Sequence, residues 1–238
     1  MKIINNAERD VVQNQIASRI TAELAQDKSV LLLLSGGSSA LIGALVIEAL
    51  RESPNLNQKQ LKDKLTVSLV DERFGPEGHG ESNWRLLLEN SFDPLSVRSV
   101  PILEGQGDST EDFEKTSARF SRLIAHAVKS HKEGNLFITA IFGIGQDGHT
   151  AGILPESPAA LLSHDGNEWV WSYESARYRR ITIAPAFFSH IDFAAAWVDN
   201  PDKRKAIEDI QLSLSSVQEP AQLLKRCSET IVFLGPHF

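Results

Sequence analysis

The sequence predicts an α/β protein with a doubly wound, mainly parallel sheet that carries helices on both faces, as in Rossmann-like folds. Short apolar segments of strand length alternate along the chain with longer amphipathic segments of helical length. The apolar segments are hydrophobic throughout, which is typical of parallel strands covered on both faces. The 238 residues contain no repeat and no low-complexity linker, so residues 1–238 are expected to form a single domain.

The first helix is predicted over residues 8–26, because Val12, Ile16, Ile20 and Leu24 recur every four positions and form one apolar stripe. The other elements follow the same two patterns. The predicted strands are residues 30–34, 65–70, 136–142, 169–173, 180–184, 193–198 and 230–234. The predicted helices are residues 40–50, 83–89, 112–130, 202–212 and 221–226, with polar loops at 53–60 and 104–110. The short strands of the C-terminal half are expected to add an antiparallel edge.

The charge and the apolar runs exclude several classes of partner. A net charge of −7 argues against the broad basic face that nucleic-acid binding needs. The longest apolar run, residues 30–34, is far below the ~20 residues that span a bilayer, and residues 1–10 lack the apolar core of a signal peptide. The single cysteine, Cys227, cannot form an internal disulfide and is given no catalytic role. We therefore expect a soluble cytoplasmic protein that binds neither nucleic acid nor membrane.

Ligands of open α/β sheets bind beyond the carboxyl ends of the strands, so four loops are expected to converge there. These loops begin at Ser35, Asp71, Gly143 and Asp199. An acidic chain that binds a small anion must gather its positive groups locally at such a site. The residues of the four loops are therefore the first candidates for function.

A glycine turn follows the first buried strand and opens a helix. It consists of Ser35, Gly36, Gly37 and Ser38, and the free amides at a helix N-terminus favour an anion such as phosphate. A βα turn with nothing bound is an equally acceptable interpretation of a Gly-Gly pair. The turn is not a P-loop, because no Gly-Lys-Ser/Thr follows it.

Charged residues follow the second predicted strand. Asp71 and Arg73 lie at its carboxyl end, and Asn83 follows across a loop. An arginine at this place is able to hold a phosphate or carboxylate with two parallel hydrogen bonds. The alternative is a charged strand end that pairs with itself at the surface.

The spacing Gly143-x-Gly145-x-x-Gly148 matches the dinucleotide-binding fingerprint. A dinucleotide site needs a long helix that starts at the third glycine, whereas Pro155 and Pro158 interrupt any such helix here. We therefore reject a nicotinamide or flavin cofactor.

The same loop carries Asp147 and His149 between its glycines, which is a general-base arrangement. A loop histidine without chemistry is the common alternative. Further along the chain, Arg180 begins a strand and Lys203 and Lys205 begin a helix. Each of these residues taken alone is interpreted as an ordinary solvated charge. Together with Arg73 they are able to supply the local positive field that an acidic chain needs to bind an anion.

Together these segments resemble the 6-phosphogluconolactonase family, within the glucosamine-6-phosphate isomerase/6-phosphogluconolactonase superfamily. The resemblance covers nearly the whole chain, and its most specific part is the loop with His149. The matching segments are Leu-Leu-Ser-Gly-Gly-Ser at 33–38, Asp-Glu-Arg at 71–73 with Ser-Asn at 82–83, Gly-Ile-Gly-Gln-Asp-Gly-His-Thr-Ala at 143–151, and Arg-Ile-Thr at 180–182.

Members of that family hydrolyse the ring ester of 6-phospho-D-glucono-1,5-lactone in the pentose phosphate pathway, without metal or organic cofactor. The resemblance therefore implies an enzyme whose partner is a small sugar-phosphate lactone. It implies that His149 activates the attacking water as a general base and that Asp147 orients the imidazole. The substrate-binding set that it implies is Gly36, Gly37, Ser38, Asp71, Arg73, Asn83, Arg180 and one lysine.

The lysine is where the chain departs from the family. Members usually have Gly-x-x-Lys after the strand, whereas here Asn200 stands three residues before Lys203. Lys205 offers an alternative alignment. The resemblance favours Lys203 for the contact with the 6-phosphate.

Two other functions are compatible with this fold. Glucosamine-6-phosphate deaminases have a glutamate five residues after the histidine for ring opening, and Leu154 at that position is unable to shuttle a proton. A non-catalytic sugar-phosphate sensor normally has a DNA-binding helix-turn-helix ahead of this fold. The first helix here begins by Glu8, which leaves no room for such a segment.

Overall fold

The computed structural model describes residues 1–105 and 107–238. Its strands are β1 (Lys2–Ile4), β2 (Ser29–Leu34), β3 (Leu65–Leu69), β4 (Asp71–Arg73), β5 (Arg98–Ser99), β6 (Leu136–Phe142), β7 (Val170–Glu174), β8 (Arg179–Ile183), β9 (Phe193–Val198) and β10 (Glu229–Leu234). Its α-helices are α1 (Arg9–Ala25), α2 (Ser39–Glu52), α3 (Gln58–Lys64), α4 (Asn83–Glu89), α5 (Thr110–Lys132) and α6 (Arg204–Gln211). Single stretches of 3-10 helix span Pro185–His190, Pro201–Lys203 and Pro220–Arg226.

Seven strands form a parallel sheet in the order β1-β10-β9-β6-β2-β3-β5. The connections from β2 to β3 and from β5 to β6 cross the sheet in opposite directions. Because such crossovers are right-handed, α2 and α5 lie on opposite faces. The predicted doubly wound parallel sheet is confirmed, and its direction of winding reverses between β2 and β6.

The core of the sheet lies at β2 and β6, whose continuous apolar runs predict strands covered on both faces. All five residues from Val30 to Leu34 are buried, and so are the residues from Phe137 to Phe142. The ring of Phe142 stacks on that of Phe188, with centroids 5.4 Å apart. The carboxyl ends of these two strands are therefore rigidly held, which suits them to position a site.

A second, antiparallel sheet contains three strands in the order β4-β8-β7. Only Val70 separates β4 from β3, and it connects the two sheets. Its amide donates to Leu34 O at 2.9 Å in the main sheet, and its carbonyl accepts from Ile183 N at 2.9 Å in the small one. The predicted extra strands of the C-terminal half are present and antiparallel, but β7 and β8 pair with β4 in a separate sheet instead of extending the edge of the main one, because the chain leaves the main sheet after Leu69.

Several short elements differ from the sequence-based expectation. The predicted polar loop at 53–60 ends inside α3, and residues 221–226 form a 3-10 helix instead of an α-helix. The predicted helix at 202–212 begins with a 3-10 turn, since Pro201 and the Asn200 side chain cap that segment. The predicted loop at 104–110 includes Gln106, which lies outside the described residues.

Glu72 is a fully buried acid that fixes the start of α4. Its two carboxylate oxygens accept four hydrogen bonds, from the amides of Arg73, Asn83 and Trp84 and from Ser82 Oγ, at 2.7 to 3.1 Å. Burial raises the pKa of Glu72, whereas these hydrogen bonds lower it. The carboxylate therefore ties β4 to α4 and holds the two residues beside it, Asp71 and Arg73, in place.

We expect Glu72→Gln to lower the free energy of unfolding by about 2 kcal/mol. The new NH2 group would point at N–H or O–H groups that now donate to Glu72, so at least one buried donor would lose its acceptor. Glu48→Gln is a matched control, since Glu48 is exposed on α2 and its loss is expected to change stability by less than about 0.5 kcal/mol. Urea unfolding of the three proteins measures both values. Equal midpoints for the two variants would contradict the assignment.

Among the described residues, no helix is both long and apolar enough to cross a membrane. Cys227 is buried, and burial raises the pKa of its thiol to about 12.

Candidate active site

A cavity of about 570 Å³ opens at the carboxyl ends of β2 and β6, where the sheet reverses its winding. This is the position at which doubly wound sheets bind ligands. The loops after β2, β3 and β6 reach it as predicted, and the loop after β9 reaches it through Lys203. The lining residues are Ser35, Gly36, Gly37, Ser38, Asp71, Arg73, Asn83, Gly143, Ile144, Gly145, Gln146, Asp147, His149, Ala151 and Lys203.

The glycine turn after β2 forms one wall of the cavity. Gly37 has a φ of +61°, a backbone conformation that residues with a side chain rarely adopt. A Cβ on Gly36 would lie 1.9 Å from Asn83 Oδ1, so only glycine fits there. Ser39 Oγ donates to Phe142 O at 2.9 Å, which ties the start of α2 to the end of β6. The Ala40 amide donates to Gly37 O at 3.2 Å. Gly36, Gly37 and Ser38 line the cavity at the N-terminus of α2, and helix N-termini favour anions.

Asp71, Arg73 and Asn83 form a group beside the glycine turn, on the Asn83 side of Gly36. Asn83 is buried, and its Nδ2 donates to Asp71 O at 2.9 Å and to Asp71 Oδ1 at 3.2 Å. Arg73 Nε lies 3.9 Å from Asp71 Oδ2, and Arg73 Nη1 donates to Glu81 O at 3.0 Å. The guanidinium is thus held in position while it still lines the cavity.

Arg180 differs from this group, because it does not line the cavity. Its side chain is mostly buried behind Asp71, with Nη1 3.6 Å from Asp71 Oδ2. Two arginines therefore share one carboxylate, and only Arg73 faces the open space. This placement fits Arg180 to hold Asp71 and gives no support to the direct substrate contact that the sequence predicts for it.

His149 and Asp147 form a hydrogen-bonded pair at the cavity wall. His149 Nδ1 lies 2.5 Å from Asp147 Oδ1, and the His149 amide donates to the same oxygen at 3.2 Å. The hydrogen bond with His149 is the main cause that lowers the pKa of Asp147 to about 2. The carboxylate is therefore ionised near neutral pH, holds the proton of the imidazole on Nδ1 and leaves Nε2 as the basic nitrogen.

Glycines give the loop of this pair its shape. A Cβ on Gly145 would lie 2.0 Å from His149 Nδ1 and 2.5 Å from Asp147 Oδ1. Gly148 has a φ of +77°, and Thr150 Oγ1 donates to Gly143 O at 3.0 Å. The loop then continues through turns and isolated bridges instead of a helix. The glycine spacing that resembles the dinucleotide fingerprint thus makes room for the side chains of Asp147 and His149. The long helix that a dinucleotide site needs after the third glycine does not follow Gly148.

The two candidate lysines differ in their surroundings. Lys203 lines the cavity, forms no ion pair with a described residue, and burial lowers its pKa. Lys205 is exposed, and its Nζ contacts both carboxylate oxygens of Asp209 outside the cavity. The structure therefore brings Lys203, and not Lys205, to the face that carries Arg73 and His149.

Six lining residues were absent from the predicted set, namely Ser35, Gly143, Ile144, Gly145, Gln146 and Ala151. Gln146 donates through Nε2 to Asp202 Oδ2 at 3.2 Å and so connects the histidine loop to the turn that carries Lys203. All of these residues belong to the motifs at 33–38 and 143–151, so their nearness to the site is visible in the sequence although no separate role is predicted for them. Within residues 1–105 and 107–238, no group of three or more His, Cys, Asp and Glu side chains is arranged to hold a metal ion.

The fold and the cavity define a class: a doubly wound α/β protein with a histidine–aspartate pair and two basic side chains at the point where the sheet reverses. A model of the family described as glucosamine-6-phosphate isomerases/6-phosphogluconolactonase matches residues 6–233. The chain belongs to this family.

Individual relatives carry the lactonase name. A 6-phosphogluconolactonase of Pseudomonas aeruginosa is 31% identical over 153 residues, which cover 63% of this chain and 57% of that protein. One of Borreliella burgdorferi is 27% identical over 168 residues, which cover 69% of each chain. The solved 6-phosphogluconolactonase of Trypanosoma brucei aligns over 99% of this chain and 96% of its own, with a TM-score of 0.74 at 20% identity. The structural match supports the fold.

Proposed function

We propose that the protein hydrolyses 6-phospho-D-glucono-1,5-lactone to 6-phospho-D-gluconate. The observation that carries this proposal is the pair of Asp147 and His149, joined at 2.5 Å on the wall of a cavity that Arg73 and Lys203 also line. A base and two cations in one cavity suit a substrate that has an ester at one end and a phosphate at the other. The names of the sequence relatives support the same substrate.

In the proposed reaction, His149 Nε2 takes a proton from water while the water oxygen bonds to the lactone carbonyl carbon. The tetrahedral oxyanion then expels the ring oxygen, which receives the proton from the imidazolium. Asp147 stays ionised and stabilises the imidazolium, because its pKa is lowered to about 2. The products are the freed ring hydroxyl and a carboxylic acid, which releases its proton to solvent and leaves the carboxylate.

Arg73, Lys203 and the amides of Gly36 to Ser38 are proposed to bind the 6-phosphate. Both cations line the same cavity, and burial lowers the pKa of Lys203 because nothing described neutralises its charge. A dianion at this place would relieve the cost of burying that ammonium group. Asp71 and Asn83 position Arg73 and the glycine turn around the phosphate.

Deamination of glucosamine 6-phosphate is the nearest rival, because the family contains both activities. Leu154 occupies the position expected for the ring-opening glutamate, and an apolar side chain transfers no proton. We also propose that the protein works in the cytoplasm, where its sugar-phosphate substrate would be formed.

The decisive assay generates the lactone in place with a glucose-6-phosphate dehydrogenase and follows the protons that hydrolysis releases, with the spontaneous rate subtracted. We expect clear acceleration by the wild-type protein and no ammonia release from glucosamine 6-phosphate. A rate equal to the spontaneous one would refute the lactonase proposal, and ammonia release would replace it by the rival.

The two lysines give a matched pair of variants for the phosphate site. Lys203→Met is expected to raise KM about tenfold or more with little change in kcat, since a hydrogen bond to a charged group contributes about 1.5–3 kcal/mol. Lys205→Met is expected to leave KM unchanged and to lower thermal stability, because Asp209 is buried and loses its partner. Steady-state kinetics and thermal unfolding of both variants separate the two effects. A higher KM for Lys205→Met alone would exchange their roles.

A further inference from the structure

Glu219 lies directly behind the loop that carries the histidine pair. It stands between α6 and the 3-10 helix Pro220–Arg226. A Cβ on Gly148 would lie 1.7 Å from Glu219 Oε2, so the carboxyl group fills the space that this glycine leaves open. The contact falls on the residue between Asp147 and His149. Glu219 is thus the side chain that supports the histidine loop from behind.

The backbone beside Glu219 holds the same loop. The amide of Ala221 donates to Gly148 O at 2.8 Å, and Gly148 N in turn donates to Gly145 O at 3.2 Å. The carbonyl of Gly148 is therefore hydrogen-bonded to the Ala221 amide, and its Cα packs against the carboxyl group of Glu219. Both contacts come from one short segment, far along the chain from the loop that it supports.

The surroundings of Glu219 disfavour its charged form. Its Oε2 is buried and has no hydrogen-bond partner within the described residues. Burial and the adjacent carboxylate of Asp209, with a smaller effect of Asp147, raise the pKa of Glu219, while Lys205 lowers it. The side chain therefore keeps its proton to higher pH than an ordinary glutamate.

We propose that Glu219 is a positioning residue for the catalysis proposed above: its side chain packs against Gly148 and fixes the loop so that His149 and Asp147 keep their short hydrogen bond. The inference rests on the proposed function only in naming the reaction. The contact of Glu219 with Gly148 depends on the size and shape of the side chain, and it fixes the relative positions of Asp147 and His149.

The test compares three substitutions at one position. Glu219→Gln keeps the size and shape of the side chain, whereas Glu219→Ala removes it and Glu219→Asp withdraws the carboxyl group by one methylene. We expect Ala and Asp to lower kcat about tenfold with KM within about twofold of wild type, since displaced catalytic groups lose rate steeply. We expect Gln to keep the wild-type kcat. Glu208→Ala, at an exposed glutamate on α6, is the control.

A second readout needs no substrate. The proton between His149 Nδ1 and Asp147 gives a downfield NMR resonance when the hydrogen bond is short and fixed. We expect this resonance in wild type, Glu219→Gln and Glu208→Ala, and its broadening or loss in Glu219→Ala and Glu219→Asp. Thermal unfolding verifies that each variant is folded at the temperature of measurement.

Three results would overturn the inference: a wild-type resonance and kcat in Glu219→Ala, wild-type behaviour of Glu219→Asp, or a Glu219→Gln variant as impaired as Glu219→Ala. If Glu219→Ala does not fold, the Asp and Gln variants decide alone. A wild-type protein without lactonase activity would refute the proposed function, while the NMR comparison would still decide whether Glu219 positions the pair.

Discussion

Replacing His149 by alanine is expected to lower kcat for lactone hydrolysis by about 10²–10⁴-fold, the contribution of a well-placed general base. The imidazole is held by Asp147 at 2.5 Å, and the carboxylate remains ionised because its pKa lies at about 2. His149 is the only histidine among the described residues that line the cavity. The remaining rate would come from binding and from the amides around the carbonyl.

His126→Ala is the matched control, because His126 is an exposed histidine on α5 and does not line the cavity. We expect its kcat and KM to equal those of wild type. The coupled lactone assay, corrected for spontaneous hydrolysis, measures all three proteins. A His149→Ala enzyme within about threefold of wild type would assign the base to another group and remove the central step of the mechanism.

Gly145→Ala is expected to lower kcat about 10²-fold although it adds a single methyl group, because a displacement of about 1 Å at the reacting groups suffices for such a loss. The added Cβ would stand 2.0 Å from His149 Nδ1 and 2.5 Å from Asp147 Oδ1. Either the imidazole or the carboxylate must move, and the hydrogen bond between them is then broken. The effect should therefore fall on kcat more than on KM.

Gly166→Ala provides the control for this substitution. The nearest atoms to a Cβ at Gly166 lie 3.7 Å away, an ordinary contact, and Gly166 is outside the cavity. We expect wild-type kinetics for this variant and comparable thermal unfolding for both. A fully active Gly145→Ala enzyme would show that the close packing of the pair is not required.

The sequence predicted the long elements of the fold well and the short ones poorly. The predicted bounds of β6, β9 and α4 coincide with the observed ones, because uninterrupted apolar runs and a serine cap leave little freedom. β1 and β5 have three and two residues, which is too few for any periodicity to show. Helix α3 was taken for a loop because it is polar, although Asn57 and Gln60 form a capping box that predicts a helix start.

The candidate site was predictable where one motif brings its residues together in sequence. The Asp147–His149 pair and the glycine turn belong to this kind, and the structure places both on the cavity. Arg180 lies outside the cavity lining and pairs with Asp71, a tertiary contact that strand position does not reveal. Glu219 lay beyond sequence reasoning altogether, since its contact with Gly148 depends on the packing of two distant segments.

The single residue between β3 and β4 also constrains how this protein is able to vary. Successive strand residues point to opposite sides, so Asp71 and Arg73 face the cavity while Glu72 faces the interior. One inserted or deleted residue at Val70 would invert this order, turning Asp71 and Arg73 toward the interior and Glu72 toward the cavity. Natural variants and engineered libraries should therefore tolerate changes of length in the loop before α3, yet keep the number of residues between Leu69 and Asp71 constant.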